Sequence, residues 1–401
     1  MQDNQEPAVS SYRWVVLIIM WLVMFGSLLV EFQAAALSFE LIPELNLTSA
    51  NFAMILAAPM LPAVLFGLVA GALADRFGVK KVVAVSFIFS IIGTTFRYIP
   101  DSFLGYFVLM FLSGSTAAFL GANAPKLLGA WFPKESVGTA LGIYFTSIGV
   151  GMTVALSTTA LFPTAKSAYI TAGIVMFVIW IIWILFVKNE PEGTPKSPPK
   201  PALKYIGIAA RSKNVWLAGL ALMCFMGAHL TFVGFLPDAL SQVHGFNPAV
   251  AGAISSIVPV GIIFGNIIGP LMSAHIGRVK PFLAPVGFLG AVIIYLSWIT
   301  PGMAILPMLF VAGLFLGVST PLLMSFPMLL PEIGPVYAGS AGGIMATLNL
   351  AGAFFIPSFI IAPIAGANFT LLFALASLSL ALMGVVSLFL PEVGIKASKK
   401  T

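Results

Sequence analysis

Three charged side chains sit inside long apolar runs of this sequence: Glu31, Arg97 and Lys126. A charge is costly in lipid, so each needs a structural or functional reason to persist. Glu31 lies 17 residues beyond Trp14, roughly 25 Å along a helix. Arg97 reaches a similar depth when counted from Lys81. An ion pair between Glu31 and Arg97 is therefore expected, and it has two readings. One is a strut within a helix bundle. In the other, Glu31 exchanges a proton while Arg97 attracts an anion. Glu31 shares a helical stripe with Met24, Ser27 and Ala34, which would let that stripe face a cavity. Lys126 follows Pro125, and it either snorkels to an interface or lines a path that favours anions.

Uncharged polar groups are sparse in the apolar runs. Asn123, Tyr144, His229, Asn266, Ser319 and Asn349 are the candidates for holding a ligand. A lone Asn among membrane helices is also common as interhelical glue. A sugar would need more hydroxyl partners than these, so the set suits a small anion, or an amphipathic compound held by one or two charges. Neither a metal-ligand cluster nor a catalytic nucleophile is found in a soluble segment, and no G-x-x-x-x-G-K-[ST] phosphate loop occurs. The expectation is a protein that is not an enzyme, with no catalytic residues, no bound metal, no cofactor and no ATP as energy source.

The elements that carry these residues follow from composition. Only 8% of the 401 residues are charged and 60% are hydrophobic, with a mean hydropathy of +1.06; soluble domains carry about 25% charge. Lipid must be the main solvent. Spans need ~20 apolar residues, and twelve such runs centre near 14–37, 52–74, 81–99, 103–130, 137–160, 167–188, 215–237, 248–273, 279–299, 303–330, 337–364 and 369–390. Lysine and arginine gather on one side of that layout, at Arg13, Arg76, Lys80, Lys81, Lys134, Arg278 and Lys280, in the break between halves and in the tail. The positive-inside rule then puts both termini in the cytoplasm. The net charge of +6 is topological and calls for no nucleic-acid partner. The short loops and tails suit a prokaryotic inner membrane, and the single Cys224 excludes a disulfide framework.

The polar stretch 189–214 divides an N-terminal unit, 1–188, from a C-terminal one, 215–401. The two repeat each other. FLGANAP at Phe119–Pro125 returns as FLGVSTP at Phe315–Pro321, and GTALG at Gly138–Gly142 as GSAGG at Gly339–Gly343. Asn51, Pro62, Phe66 and Gly71 match Asn247, Pro259, Phe264 and Gly269. Glu31, Arg97 and Lys126 have no charged equivalent in the second half. Duplicated bundles suit a carrier whose halves rock about a site at the midplane.

The loop GALADRFGVKK carries Gly71, Asp75, Arg76, Gly78, Lys80 and Lys81. It resembles the signature loop of the major facilitator superfamily, with lysine in place of the pattern's arginine at Lys80. Its second copy, Gly269–Lys280, is degenerate and one residue longer. The resemblance implies an all-α membrane protein of twelve transmembrane helices in two pseudo-symmetric six-helix bundles, working as a monomer. It also implies that these six loop residues form a conformational gate. The stretches Gly121–Tyr144 and Phe235–Asn266, together with Arg97, are similar to the cyanate-permease and nitrate/nitrite-porter branches. The function implied is secondary active transport of a small organic or inorganic anion by alternating access, coupled to protons through Glu31 or to a counter-anion. Two alternatives stand beside it: a proton-coupled exporter of hydrophobic drugs, and a membrane sensor with this fold and no flux.

Overall fold

The computed structural model describes residues 11–191 and 207–393; Lys196, Lys200, Lys204, Lys396, Lys399 and Lys400, counted above among the basic residues, lie outside them. The described residues form helices joined by short turns. The first span is Tyr12–Ala36, followed by a short helix Ser38–Glu44. The second runs Ser49–Ala57, tightens through a 3-10 turn at Ala58–Met60, and continues as Leu61–Phe77. The third is Val79–Thr95. The fourth joins Phe103–Ser113 to Ser115–Trp131, the fifth is Lys134–Thr158 and the sixth Ala165–Phe186. The seventh is Lys213–Gln242; the eighth joins Pro248–Ser255 to Ile257–Ile276; the ninth is Lys280–Ile299 and the tenth Ile305–Leu329. The eleventh is Gly334–Phe355, prolonged by a π turn at Ile356–Ile361 and by Ala362–Ala365, and the twelfth is Phe369–Leu388.

Eleven of these are at least 18 residues long and apolar enough to cross a bilayer. The third, with 17 residues, completes the twelve. It ends at Thr95, four residues before the expected boundary, because Phe96–Ile99 turn back and free Arg97 from the helix. Caps mark the ends that face away from Asp75. Thr48, Ser102, Thr164 and Asn368 each accept a backbone N–H of the first turn with a side-chain oxygen, satisfying donors that lipid could not.

The first span packs on the fifth, sixth and fourth, and the seventh on the eleventh and twelfth. A long, close seam joins the eighth and tenth spans. A Cβ added at Gly261, Gly265, Gly313 or Gly317 would stand 2.2, 2.2, 2.0 or 2.3 Å from a backbone oxygen of the facing helix. Only backbones without side chains approach so closely.

The two ends of the molecule differ. At the end carrying Asn46, the first six spans meet the last six. Phe52 and Phe235 stack edge to face at 5.2 Å, Ser49 donates to the Gly366 carbonyl, and a Cβ at Gly234 or Gly252 would strike Leu56 or the Leu156 oxygen. Toward the end carrying Asp75, a Cβ at Gly67, Gly71, Gly121, Gly129, Gly142, Gly342 or Gly343 would meet nothing within 4 Å. The path between the two sets of spans is thus shut at the Asn46 end.

Candidate functional site

Arg97 does not pair with Glu31, contrary to the sequence expectation. Its guanidinium donates to the Val30 carbonyl at 3.0 Å, to Gln33 Oε1 at 2.8 Å and to the Thr94 carbonyl at 3.4 Å. It also lies 4.5 Å from the centre of the Tyr169 ring. The cause is helix phase. Depth brings Glu31 and Gln33 equally within reach, but at ~100° per residue they project from nearly opposite sides of the first span. Gln33 faces the sixth span, donating to the Ala168 carbonyl at 3.2 Å, and Arg97 enters on that side. With Tyr106 and Tyr169 hydrogen-bonded at 2.8 Å, this is a buried polar knot that ties the first, third, fourth and sixth spans. Its outer wall is a cleft of about 180 Å³ that Glu40, Glu44 and Lys166 also line.

Glu31 is 7% exposed and, among the described residues, joins no ion pair. It projects from the first span away from the row that meets the sixth.

Lys126 and Asp75 form an ion pair across the fourth and second spans, with side chains 49% and 60% exposed. Both had been singled out in the sequence, but nothing there joined them. An exposed pair of this kind contributes about 1 kcal/mol or less. Lys126→Ala is therefore expected to leave the thermal unfolding midpoint nearly unchanged; a loss of several kcal/mol would make the pair a structural strut. Above it, Asn123 is buried and donates to the Ala70 and Phe119 carbonyls, gluing the second span to the fourth.

The turn between the second and third spans holds the other signature residues. Gly78 has φ +85°, a conformation that a side chain would strain. Asn189, at the exit of the sixth span, packs on it and accepts the Lys80 N–H at 2.7 Å. Trp183 donates to the Lys80 carbonyl at 3.0 Å. Arg76 lies over the ring of Phe77, and Lys81 is exposed. Gly71 faces open space. Sequence reasoning passed over Asn189, although an Asn directly after an apolar run is a cap-like signal.

Three of the remaining candidates share one property. Tyr144 on the fifth span, His229 on the seventh and Asn349 on the eleventh each bury a polar atom with no hydrogen-bond partner: the Tyr144 hydroxyl, His229 Nε2 and Asn349 Oδ1. Thr116 Oγ1 on the fourth span, which the sequence did not single out, is in the same condition. Such atoms are uncommon and each asks for an explanation. Ser319 is buried but bonds back to the Phe315 carbonyl within its own helix. Asn266 is half-buried on the eighth span. Among the described residues, no group of His, Cys, Asp and Glu is placed to hold a metal.

Twelve apolar spans joined by short turns define a polytopic helical membrane protein. The chain belongs to the Major Facilitator Superfamily, whose family model matches residues 16–357. It is thus an integral, multi-pass secondary transport protein acting on a small molecule, not an enzyme. It is 22% identical to a probable sulfoacetate transporter of Cupriavidus necator over 76% of each chain. It is 26% identical to a probable nitrate transporter of Staphylococcus aureus, over 90% of this chain and 92% of that one. A 2-nitroimidazole transporter of Escherichia coli is 24% identical over 72% and 73%. Among solved structures, a bacterial homologue of the human lysosomal transporter Spinster superposes with a TM-score of 0.71 at 16% identity, covering 94% of this chain and 95% of that one; this likeness is one of fold.

Proposed function

We propose that this protein moves a small organic or inorganic anion across a prokaryotic inner membrane by alternating access. The bundles 1–188 and 215–401 rock about the Asn46 end, and the Asp75 end and both termini lie in the cytoplasm, where the basic residues gather. The observation that carries this reading is the set of buried, unpartnered polar atoms on the fifth, seventh and eleventh spans. They belong to both bundles, and a ligand that satisfied them would be held between the two. The signature loop, with the open Gly71 and its Asp75–Lys126 pair, supports a gate at the cytoplasmic end. Relatives that carry sulfoacetate and nitrate by name support an anion, and one that carries 2-nitroimidazole supports a compact planar solute as the second reading.

Purified protein in proteoliposomes is expected to take up nitrate, nitrite or sulfoacetate, faster with an inward proton gradient. Glu31→Gln is expected to abolish the acceleration and leave exchange of the anion across equal pH. Absence of uptake for all three anions would overturn the anion reading. Acceleration unchanged in Glu31→Gln would remove Glu31 from the coupling.

A further inference from the structure

The cations singled out for anion binding already have protein partners. Arg97 is bonded on every side within its knot, and Lys126 is paired with Asp75. His229 offers a third route to positive charge, and its place becomes clear when the halves are aligned by packing. A Cβ on Gly151 of the fifth span would stand 2.6 Å from the Phe25 carbonyl oxygen, and one on Gly352 of the eleventh 2.2 Å from that of Met223. Gly151 and Gly352 are 201 residues apart, the spacing that also separates GTALG from GSAGG. Phe25 and Met223 are therefore equivalent, 198 residues apart. Two independent contacts keep this register. Trp21 donates to Thr146 of the fifth span, and its equivalent Gly219 meets Leu348 of the eleventh. Gly26 meets Met176 and Ile179 of the sixth, and the carbonyl of its equivalent Cys224 accepts from Ser379 of the twelfth.

The same 198 residues carry Glu31 onto His229. The second half thus does hold a titratable counterpart to Glu31, an imidazole where the first half has a carboxylate. On the seventh span His229 lies about 160° around the helix from Gly227, which meets the eleventh span, and about 140° from Cys224, which meets the twelfth. It therefore occupies the remaining face, as Glu31 does on the first span. The first and seventh spans touch.

We infer that His229 is the anion-binding cation of this carrier, and that the proton it takes up is passed to it by Glu31, its counterpart on the first span. The inference rests on the transport reading above. A buried imidazolium is costly unless a counter-charge shares its site. An anion arriving at Nε2 supplies that charge, and a proton adds to the ring nitrogen as the anion docks. Release of the anion returns the proton to Glu31. Few other charges face the group. Among the described side chains, the elements packed along the seventh span bring Glu31 from the first and Glu40 and Glu44 from the helix Ser38–Glu44. The second, eighth, tenth, eleventh and twelfth spans bring none along the described stretches that touch it, nor does the π turn. The seventh span itself adds Lys213, Cys224 and Asp238.

The chain has three histidines, so the signal of His229 can be assigned by its loss in His229→Gln. With ¹⁵N-histidine in lipid nanodiscs at about pH 7, His229 is expected to be neutral in gluconate and to become an imidazolium when nitrate, nitrite or sulfoacetate is added. His229→Gln should slow uptake of that anion at least about 30-fold. His229→Arg should restore binding but remove its dependence on pH. The inference is overturned if none of the three anions charges His229, or if His229→Gln transports at the wild-type rate with the wild-type pH profile. That last result would leave the anion-transport reading intact, whereas absence of flux in the wild type would end that reading as well.

Discussion

Gly313→Leu is expected to yield no monodisperse folded protein, and Gly313→Ala to lower the unfolding free energy by about 3 kcal/mol. The atom that a Cβ at Gly313 would meet is the Val258 carbonyl oxygen, at 2.0 Å. Backbone cannot swing aside as a side-chain tip can. Relief requires the eighth and tenth spans to part along their length, and Gly261, Gly265 and Gly317 hold the same seam at similar distances. Close packing turns a local clash into loss of contact over three helical turns. The comparison is Gly342→Ala, where a Cβ meets nothing within 4 Å, and a gain of about 0.5–1 kcal/mol from helix propensity is expected. Size-exclusion profiles and thermal unfolding in detergent read both. Equal midpoints for the two alanine variants would show that the seam yields.

The second large effect is expected at Arg97. Arg97→Ala should destabilise by about 3–5 kcal/mol, because it leaves Gln33 Oε1 and the Thr94 carbonyl without this donor and removes the second hydrogen bond of the helical Val30 carbonyl. Arg97→Lys should recover only part of this. An ammonium keeps the charge but lacks the planar fork that reaches three acceptors and lies on Tyr169. Gln33→Leu leaves one guanidinium N–H unpaired but keeps the other bonds of Arg97, and it should cost less than Arg97→Ala. If Arg97→Ala folded with wild-type stability and lost only anion uptake, Arg97 would be a ligand group and not a strut.

Much of the architecture was legible because lipid imposes it. A backbone in hydrocarbon must be helical, and the run must be long enough to cross. The exceptions are local. The eighth span breaks at Ser256 and the eleventh passes through a π turn at Ile356–Ile361, both beside a proline, Pro259 or Pro357. Depth was also legible, which placed Arg97 beside the outer part of the first span. Phase was not. Counting residues gives height along a helix, while the choice between Glu31 and Gln33 depends on which side the sixth span covers. Lys126 and Asp75 were each chosen for good reasons but are 51 residues apart, and no periodicity joins them. Likewise, a polar residue in a span announces itself, but whether its partner is present, as for Asn123, or missing, as for Asn349, depends on neighbours brought in from elsewhere. The repeat gave the register of the second against the eighth span, the fourth against the tenth and the fifth against the eleventh through their glycines. It did not give that of the first and seventh, which share few residues and are aligned by what they touch.

Asn189 holds the turn at Lys80, and at the far side of the connecting segment Ser212 and Asn214 both donate to Glu332, at 3.0 and 2.8 Å. The connection between the bundles is thus moored at each shore. Between Asn189 and Ser212 the chain has a contour length of about 80 Å when drawn straight. Opening the Asp75 end by one or two helix diameters needs only about 10–20 Å. A chain of that length sets no limit on such a separation. In the rocking proposed above, the two moorings would keep tension off the helices, and the pivot would lie at the Asn46 end, where Phe52 meets Phe235.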